Sequence, residues 1–131
     1  MRKLLAAVLF LAASLAFASG LLTPQSILSA VSAASNQTSA AVDTGSFPRA
    51  SFHIIWTGLT GTIDGTVKLQ VSNTGANWVD KSSSTVTLSG ASGADLISLN
   101  GVSTEKYYRA VYTKNSITGG AITVVAFAKA N

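Results

Sequence analysis

The chain of 131 residues contains no cysteine, one histidine (His53), one methionine and two prolines, and only 11% of its residues are charged, against roughly a quarter in an average soluble domain. Without cysteine there can be no disulfide scaffold, no thiol nucleophile and no thiolate-ligated zinc or iron–sulfur site, and a single imidazole cannot build a histidine metal cluster. Acidic residues number only five, and the basic ones are scattered rather than run together, so no electrostatic footprint for nucleic acid or anionic lipid is visible. What is abundant is apolar: 47% of residues are hydrophobic, which argues against a disordered chain. The length allows one domain and a short extension.

The N-terminus has the three parts of a secretory signal. Arg2 and Lys3 are followed by 14 uncharged residues, Leu4 to Phe17, and the small-residue site Ala16-Phe17-Ala18 closes the segment. Cleavage after Ala18 is expected, which would lower the net charge from +4 to +2 by removing Arg2 and Lys3. The alternative is a retained anchor, since the run can be stretched through Leu21 and Leu22 towards the roughly 20 residues of a membrane helix. Either way the expected location is outside the cytoplasm: secreted, periplasmic or at a cell surface, or on a virion if the gene is a phage's.

Residues 19–46 are rich in Ser, Ala, Thr and Gln and read as a flexible or weakly helical arm. Thr23-Pro24 could start a helix, and Ile27, Leu28 and Val31 could form a short apolar stripe. Asn36-Gln37-Thr38 has the form of a glycosylation acceptor.

From about residue 47 to the end the period is two. Phe52, Ile54 and Trp56 share one face of a strand over Ala50–Thr57, and Asp64-Gly65 marks a turn. Thr66–Ser72 alternates cleanly, with Val67, Leu69 and Val71 on one side and Lys68 and Gln70 on the other. Further strands are expected around Thr85–Leu88, Asp95–Leu99, Tyr107–Thr113 and Ala121–Lys129, with a loop from Lys114 to Gly120. Six or seven short strands at this spacing predict an all-β fold, an antiparallel β-sandwich or small jelly roll. The large pieces available for its core are Trp56, Trp78, Phe52, Phe127 and the three tyrosines.

Two strands are apolar on both sides. Phe52 to Trp56 and Ala121 to Ala128 place Ile55, and Val125 with Phe127, on the face a single sandwich leaves open, which predicts a contact surface and a homo-oligomer. Trp78, Tyr107 and Tyr108 form the other candidate, either as core rings or as an aromatic platform for sugar.

Catalysis has little support. His53 lies inside a strand with no G-x-S-x-G elbow elsewhere in the chain, and Asp43, Asp64, Asp80, Asp95 and Glu105 stand in or near turns, where an acid more often caps backbone than moves protons. We read no enzyme, cofactor or metal in the sequence.

The run Val67-Lys68-Leu69-Gln70-Val71-Ser72-Asn73-Thr74-Gly75-Ala76-Asn77-Trp78, followed by Tyr107-Tyr108-Arg109-Ala110-Val111-Tyr112-Thr113 and a last strand closing on Lys129, resembles a family of small all-β structural proteins found mainly in tailed bacteriophages. That family reads roughly L-Q-x-S-N-D-G-x-N-W, then Y-x-R-x-x-Y-T. The resemblance covers about Ala50 to Asn131 and implies a virion-type decoration or assembly module that packs against other protein. It also implies turn-forming roles for Asn73, Gly75 and Asn77 and a buried anchor at Trp78. Thr74 stands where the family has Asp, Ser116-Ile117-Thr118-Gly119 replaces S-G-T-G, and a secretory leader is foreign to the pattern. The expected partners are therefore a second copy or another structural protein, with a secreted carbohydrate- or surface-binding module as the alternative.

Overall fold

The computed structural model describes residues 23–44, 49–100 and 105–129; the expected leader lies outside them. Nine strands form in these residues: β1 (Gln25–Ser32), β2 (Gln37–Thr38), β3 (Val42–Asp43), β4 (Arg49–Gly61), β5 (Thr66–Ser72), β6 (Val79–Thr87), β7 (Gly93–Asn100), β8 (Tyr107–Thr113) and β9 (Ile117–Lys129). They make two antiparallel sheets, one in the order β1-β9-β4-β7 and the other β2-β8-β5-β6, with β3 also on β8. The chain is an antiparallel β-sandwich. If β2 and β3 are taken as one interrupted strand, the pairs β1:β9, β2/β3:β8, β4:β7 and β5:β6 are nested, so the molecule is one long hairpin rolled up on itself. That is jelly-roll connectivity, and rolling adds the β4:β9 and β5:β8 ladders.

Alternation sends one face of each strand inward. Phe52, Ile54 and Trp56 of β4 meet Val67, Leu69 and Val71 of β5, Tyr108, Ala110 and Tyr112 of β8, and Ile122, Val124 and Ala126 of β9 in one buried cluster. The Phe52 and Tyr108 rings are 5.8 Å apart and tilted by 34°, a geometry worth about 0.5–1.5 kcal/mol beyond area burial. Polar tips inside the core are satisfied: Trp56 Nε1 donates to Ser89 O at 3.2 Å and Tyr112 Oη to Ala33 O at 2.9 Å.

The first expectation to be corrected is the arm. Within residues 25–43 the strands β1, β2 and β3 are built into both sheets, with Leu28 buried and Ile27 and Val31 packed against the core. A stripe of three apolar residues is too short to hold a helix in water, whereas the edge of β9 offers a row of unpaired backbone groups that this segment completes. Asn36 of the possible glycosylation acceptor is occupied structurally, its Oδ1 accepting from Lys114 N at 2.9 Å.

Three further differences follow from pairing. Nine strands replace six or seven, because β2 and β3 are two-residue ladders without a hydrophobic signature. The loop expected from Lys114 to Gly120 is shorter, as β9 already starts at the buried Ile117. Finally, Trp78, Tyr107 and Phe127 are half-buried and outside the core cluster; Tyr107 and Phe127 lie on the outward parity of their strands and Trp78 follows the loop ahead of β6.

Candidate functional site

The outward side of the first sheet is an ordered grid. Strand register places Leu96, His53 and Val125 in one transverse row, Ser98, Ser51 and Phe127 in the next, and Asn100, Arg49 and Lys129 in the last. Ile55 extends the pattern the other way, between Ala94 and Thr123. The last two rows, with Leu96 and Ala50, line a shallow groove of about 250 Å³. That is below the roughly 300–1,000 Å³ of enclosed small-molecule sites, and suits a ligand lying across the sheet.

Ile55, Val125 and Phe127 thus face outward together, as their parity requires, but none is bare: all three are half-buried. The large hydrophobic residue that does stand open here is Leu96, 54% exposed on the edge strand β7. The strip is interleaved with His53, Ser51 and Thr123, so the face is mixed rather than uniformly apolar.

The outward side of the second sheet has a different chemistry. Arg109 places its guanidinium carbon 4.4 Å from the centroid of the Trp78 ring, and its Nε and Nη2 both donate to Gln70 Oε1, at 2.9 and 2.7 Å. Gln70 Nε2 donates to Asp80 Oδ1 at 2.9 Å, and Lys68 Nζ bonds Asp80 Oδ2 at 2.7 Å. The hydrogen bonds from Lys68 and then Gln70 hold the Asp80 carboxyl below the ordinary range. Lys106 lies 5.0 Å from the centroid of Tyr107. Lys68, Gln70, Asp80, Lys106 and Arg109 thus each have a partner from their own chain.

Tyr108 does not join Trp78 and Tyr107. It follows Tyr107 in an extended strand, so its ring points the opposite way; it is 1% exposed against Phe52, and the three-ring platform reduces to two rings that are each covered by a cation. Ser72, Asn73 and Thr74 organise the turn before Trp78. Ser72 Oγ accepts from Thr74 N and Gly75 N, Thr74 Oγ1 accepts from Ala76 N and Asn77 N, and Asn73 Oδ1 accepts from Lys106 N at 3.0 Å. Thr74 therefore caps the backbone of the turn through its hydroxyl, a task that an Asp side chain also performs.

The contrast between the two faces is decided by hydrogen-bond accounting. Among the described residues, the side chains of Arg49, Ser51, Ser98, Asn100 and Lys129 make no hydrogen bond or ion pair within the protein, while Phe127 presents a half-buried ring beside them. His53, one row away, likewise makes no side-chain hydrogen bond there. The carboxylates are engaged elsewhere: Glu105 with Lys81 at 2.8 Å, Asp64 with Ser116 N at 2.7 Å, Asp95 with Leu96 N at 2.8 Å. Reasoning from sequence singled out Phe127 but missed Arg49, Ser51, Leu96, Ser98, Asn100 and Lys129. Parity within each strand is visible in the sequence, whereas the register that aligns three strands is not.

No family model and no curated protein matches this chain. Among solved structures it is similar to chitosan-binding module 1 of a chitosanase/glucanase from Paenibacillus sp. IK-5, at 17% identity and TM-score 0.42, covering 77% of this chain and 95% of that one. It is also similar to TmCBM61 in complex with β-1,4-galactotriose, at 15% identity and TM-score 0.39, covering 73% of this chain and 62% of that one. Dimeric latent PorU from Porphyromonas gingivalis matches at 9% identity and TM-score 0.40 over 86% of this chain, which spans only 13% of PorU. These likenesses concern fold alone. No helix of the described residues is long and apolar enough to cross a membrane.

Proposed function

We propose that this chain is an exported, non-catalytic module that binds a saccharide across the outward face of its first sheet. Jelly rolls serve both as lectin domains and as capsid proteins, so the fold cannot choose between the two readings of the sequence; the site must. The observation that carries the proposal is the set of five polar side chains, Arg49, Ser51, Ser98, Asn100 and Lys129, which line the groove with the ring of Phe127 and make no side-chain hydrogen bond among the described residues. A pyranose has the complementary surface, hydroxyls at its rim and a C–H face that packs on the electron-rich face of an aromatic ring. Export rests on Arg2, Lys3 and the uncharged segment Leu4 to Phe17.

The test is calorimetric titration and affinity electrophoresis of the chain from Ser19 onward against a panel of neutral and charged oligosaccharides. Phe127→Ala should weaken the best ligand roughly tenfold or more, equivalent to about 1.4 kcal/mol, with the circular dichroism spectrum unchanged. A panel without a single binder, or a best binder indifferent to Phe127→Ala, overturns the proposal.

One observation favours a second reading, packing against protein as in the phage-type family. Leu96 is 54% exposed in the same row as Val125, next to the row of Ile55. Light scattering separates the two: a concentration-dependent dimer abolished by Leu96→Lys supports assembly, and a monomer at high micromolar concentration removes it.

A further inference from the structure

Most of the cations on the described surface are already partnered. Lys68 pairs with Asp80 and Lys81 with Glu105, Arg109 lies over Trp78 and on Gln70, Lys106 lies over Tyr107, and Lys114 Nζ reaches Ile117 O at 3.5 Å. Arg49 and Lys129 make no such contact among the described residues. These two are not scattered. They are direct register partners on β4 and β9, so their side chains leave the same face with β-carbons about 5 Å apart.

Like charges placed directly opposite on neighbouring strands destabilise a sheet, and a carboxylate between them is the ordinary remedy. Among the described residues none is supplied: the groove they line holds Ser51, Ser98, Asn100, Leu96, Ala50 and Phe127, with no acidic side chain. An anion placed between the guanidinium and the ammonium would relieve the repulsion and gain charge-assisted hydrogen bonds from both. The planar fork of Arg49 suits a carboxylate or sulfate.

We infer that the groove takes an acidic saccharide, its carboxylate or sulfate held between Arg49 and Lys129 and an adjoining sugar ring lying on Phe127. This rests on the saccharide reading above and adds the charge of the ligand to it. Uronic-acid and sulfated glycans share the required chemistry. A cationic glycan of glucosamine is disfavoured by the same two side chains.

Calorimetric titration with oligogalacturonate, a sulfated dextran oligomer, a neutral galacto-oligosaccharide, a glucosamine oligomer and polyglutamate tests both levels. The expected result is binding of the uronate, the sulfated oligomer or both, with whichever binds identifying the anion. Affinity should fall on raising salt, by roughly three- to tenfold in Arg49→Gln and in Lys129→Gln, and also in Phe127→Ala. Because Arg49 and Lys129 are exposed like charges on paired strands, neither charge variant should lower the melting temperature. Neutral oligosaccharide bound as tightly as acidic, with Arg49→Gln and Lys129→Gln silent and Phe127→Ala still damaging, overturns the acidic ligand and leaves the saccharide reading standing. Polyglutamate bound as well as the acidic sugars overturns both, since charge alone would then explain the binding.

Discussion

Gly93 of β7 lies directly opposite Trp56 of β4, and a methyl group built on it would come within 2.5 Å of Cζ2 and 2.8 Å of Cε2 of the indole. The ring is buried, and its Nε1 is tied to Ser89 O, so it cannot swing aside as a flexible chain would. The glycine is where the sandwich makes room for its largest core side chain. Gly93→Ala should destabilise the fold by about 1–3 kcal/mol through overpacking, and Trp56→Ala by about 3–5 kcal/mol. The coupling is the sharper check. In denaturant titrations Trp56→Phe should recover part of the Gly93→Ala loss, and strict additivity would show that the contact is not the cause.

The two tryptophans should respond differently to a quencher. Trp56 is 5% exposed and Trp78 half-buried beneath Arg109, so iodide should reach Trp78 and spare Trp56. Arg109→Ala should increase quenching further by uncovering the ring. Since the proposed groove is on the other sheet, a saturating acidic oligosaccharide should leave Trp78 emission unchanged. A ligand-induced shift that vanishes in Trp78→Phe would move the binding site to the second sheet.

Stability should fall in alkali. Burial raises the Tyr112 phenol above its ordinary value, and the hydrogen bond to Glu105 raises the Lys81 ammonium. Each group is protonated in the folded state at pH values where the unfolded chain has begun to lose its proton. Their stabilising contributions are thus complete below about pH 10, the ordinary range for both groups, and decline as pH rises through the folded values. Tyr112→Phe should flatten part of that decline, although it also removes the bond to Ala33 O. Melting temperatures recorded from pH 8 to 11.5 give the result, and parallel profiles for wild type and variant would refute the Tyr112 contribution.

The turn before Trp78 makes a separate prediction. Thr74→Asp should be neutral within about 0.5 kcal/mol, because a carboxylate can accept the same two bonds from Ala76 N and Asn77 N. Gly75 has φ +77° with only ordinary contact to the Tyr107 ring, 3.6 Å from a built Cβ. Gly75→Ala should therefore cost about 1 kcal/mol from backbone strain alone. Thermal melts of both variants check this, and a strongly destabilised Thr74→Asp would mean the hydroxyl has a role beyond capping.

The readable part of the sequence was its alternation. Val67, Leu69 and Val71 turned inward as expected, and Ile55, Val125 and Phe127 turned outward, because side chains in an extended strand change sides at every residue. The same rule, applied to Tyr107 and Tyr108 as a pair, would have removed Tyr108 from the platform. Residues 25–32 are strand for a reason of another kind: a short segment with only Ile27, Leu28 and Val31 as large apolar residues has no strong preference of its own, and it forms β1 because β9 has an open edge to fill.

What the sequence determined by itself was an all-β chain without cysteine chemistry, and the side of its strand on which each residue of a clean alternation falls. Which outward residues become neighbours was decided only by tertiary structure. Arg49, Asn100 and Lys129 are up to 80 residues apart along the chain and meet because β4, β7 and β9 align in one register. Register depends on how whole sheets bury their apolar faces and close their turns, a property no single strand carries.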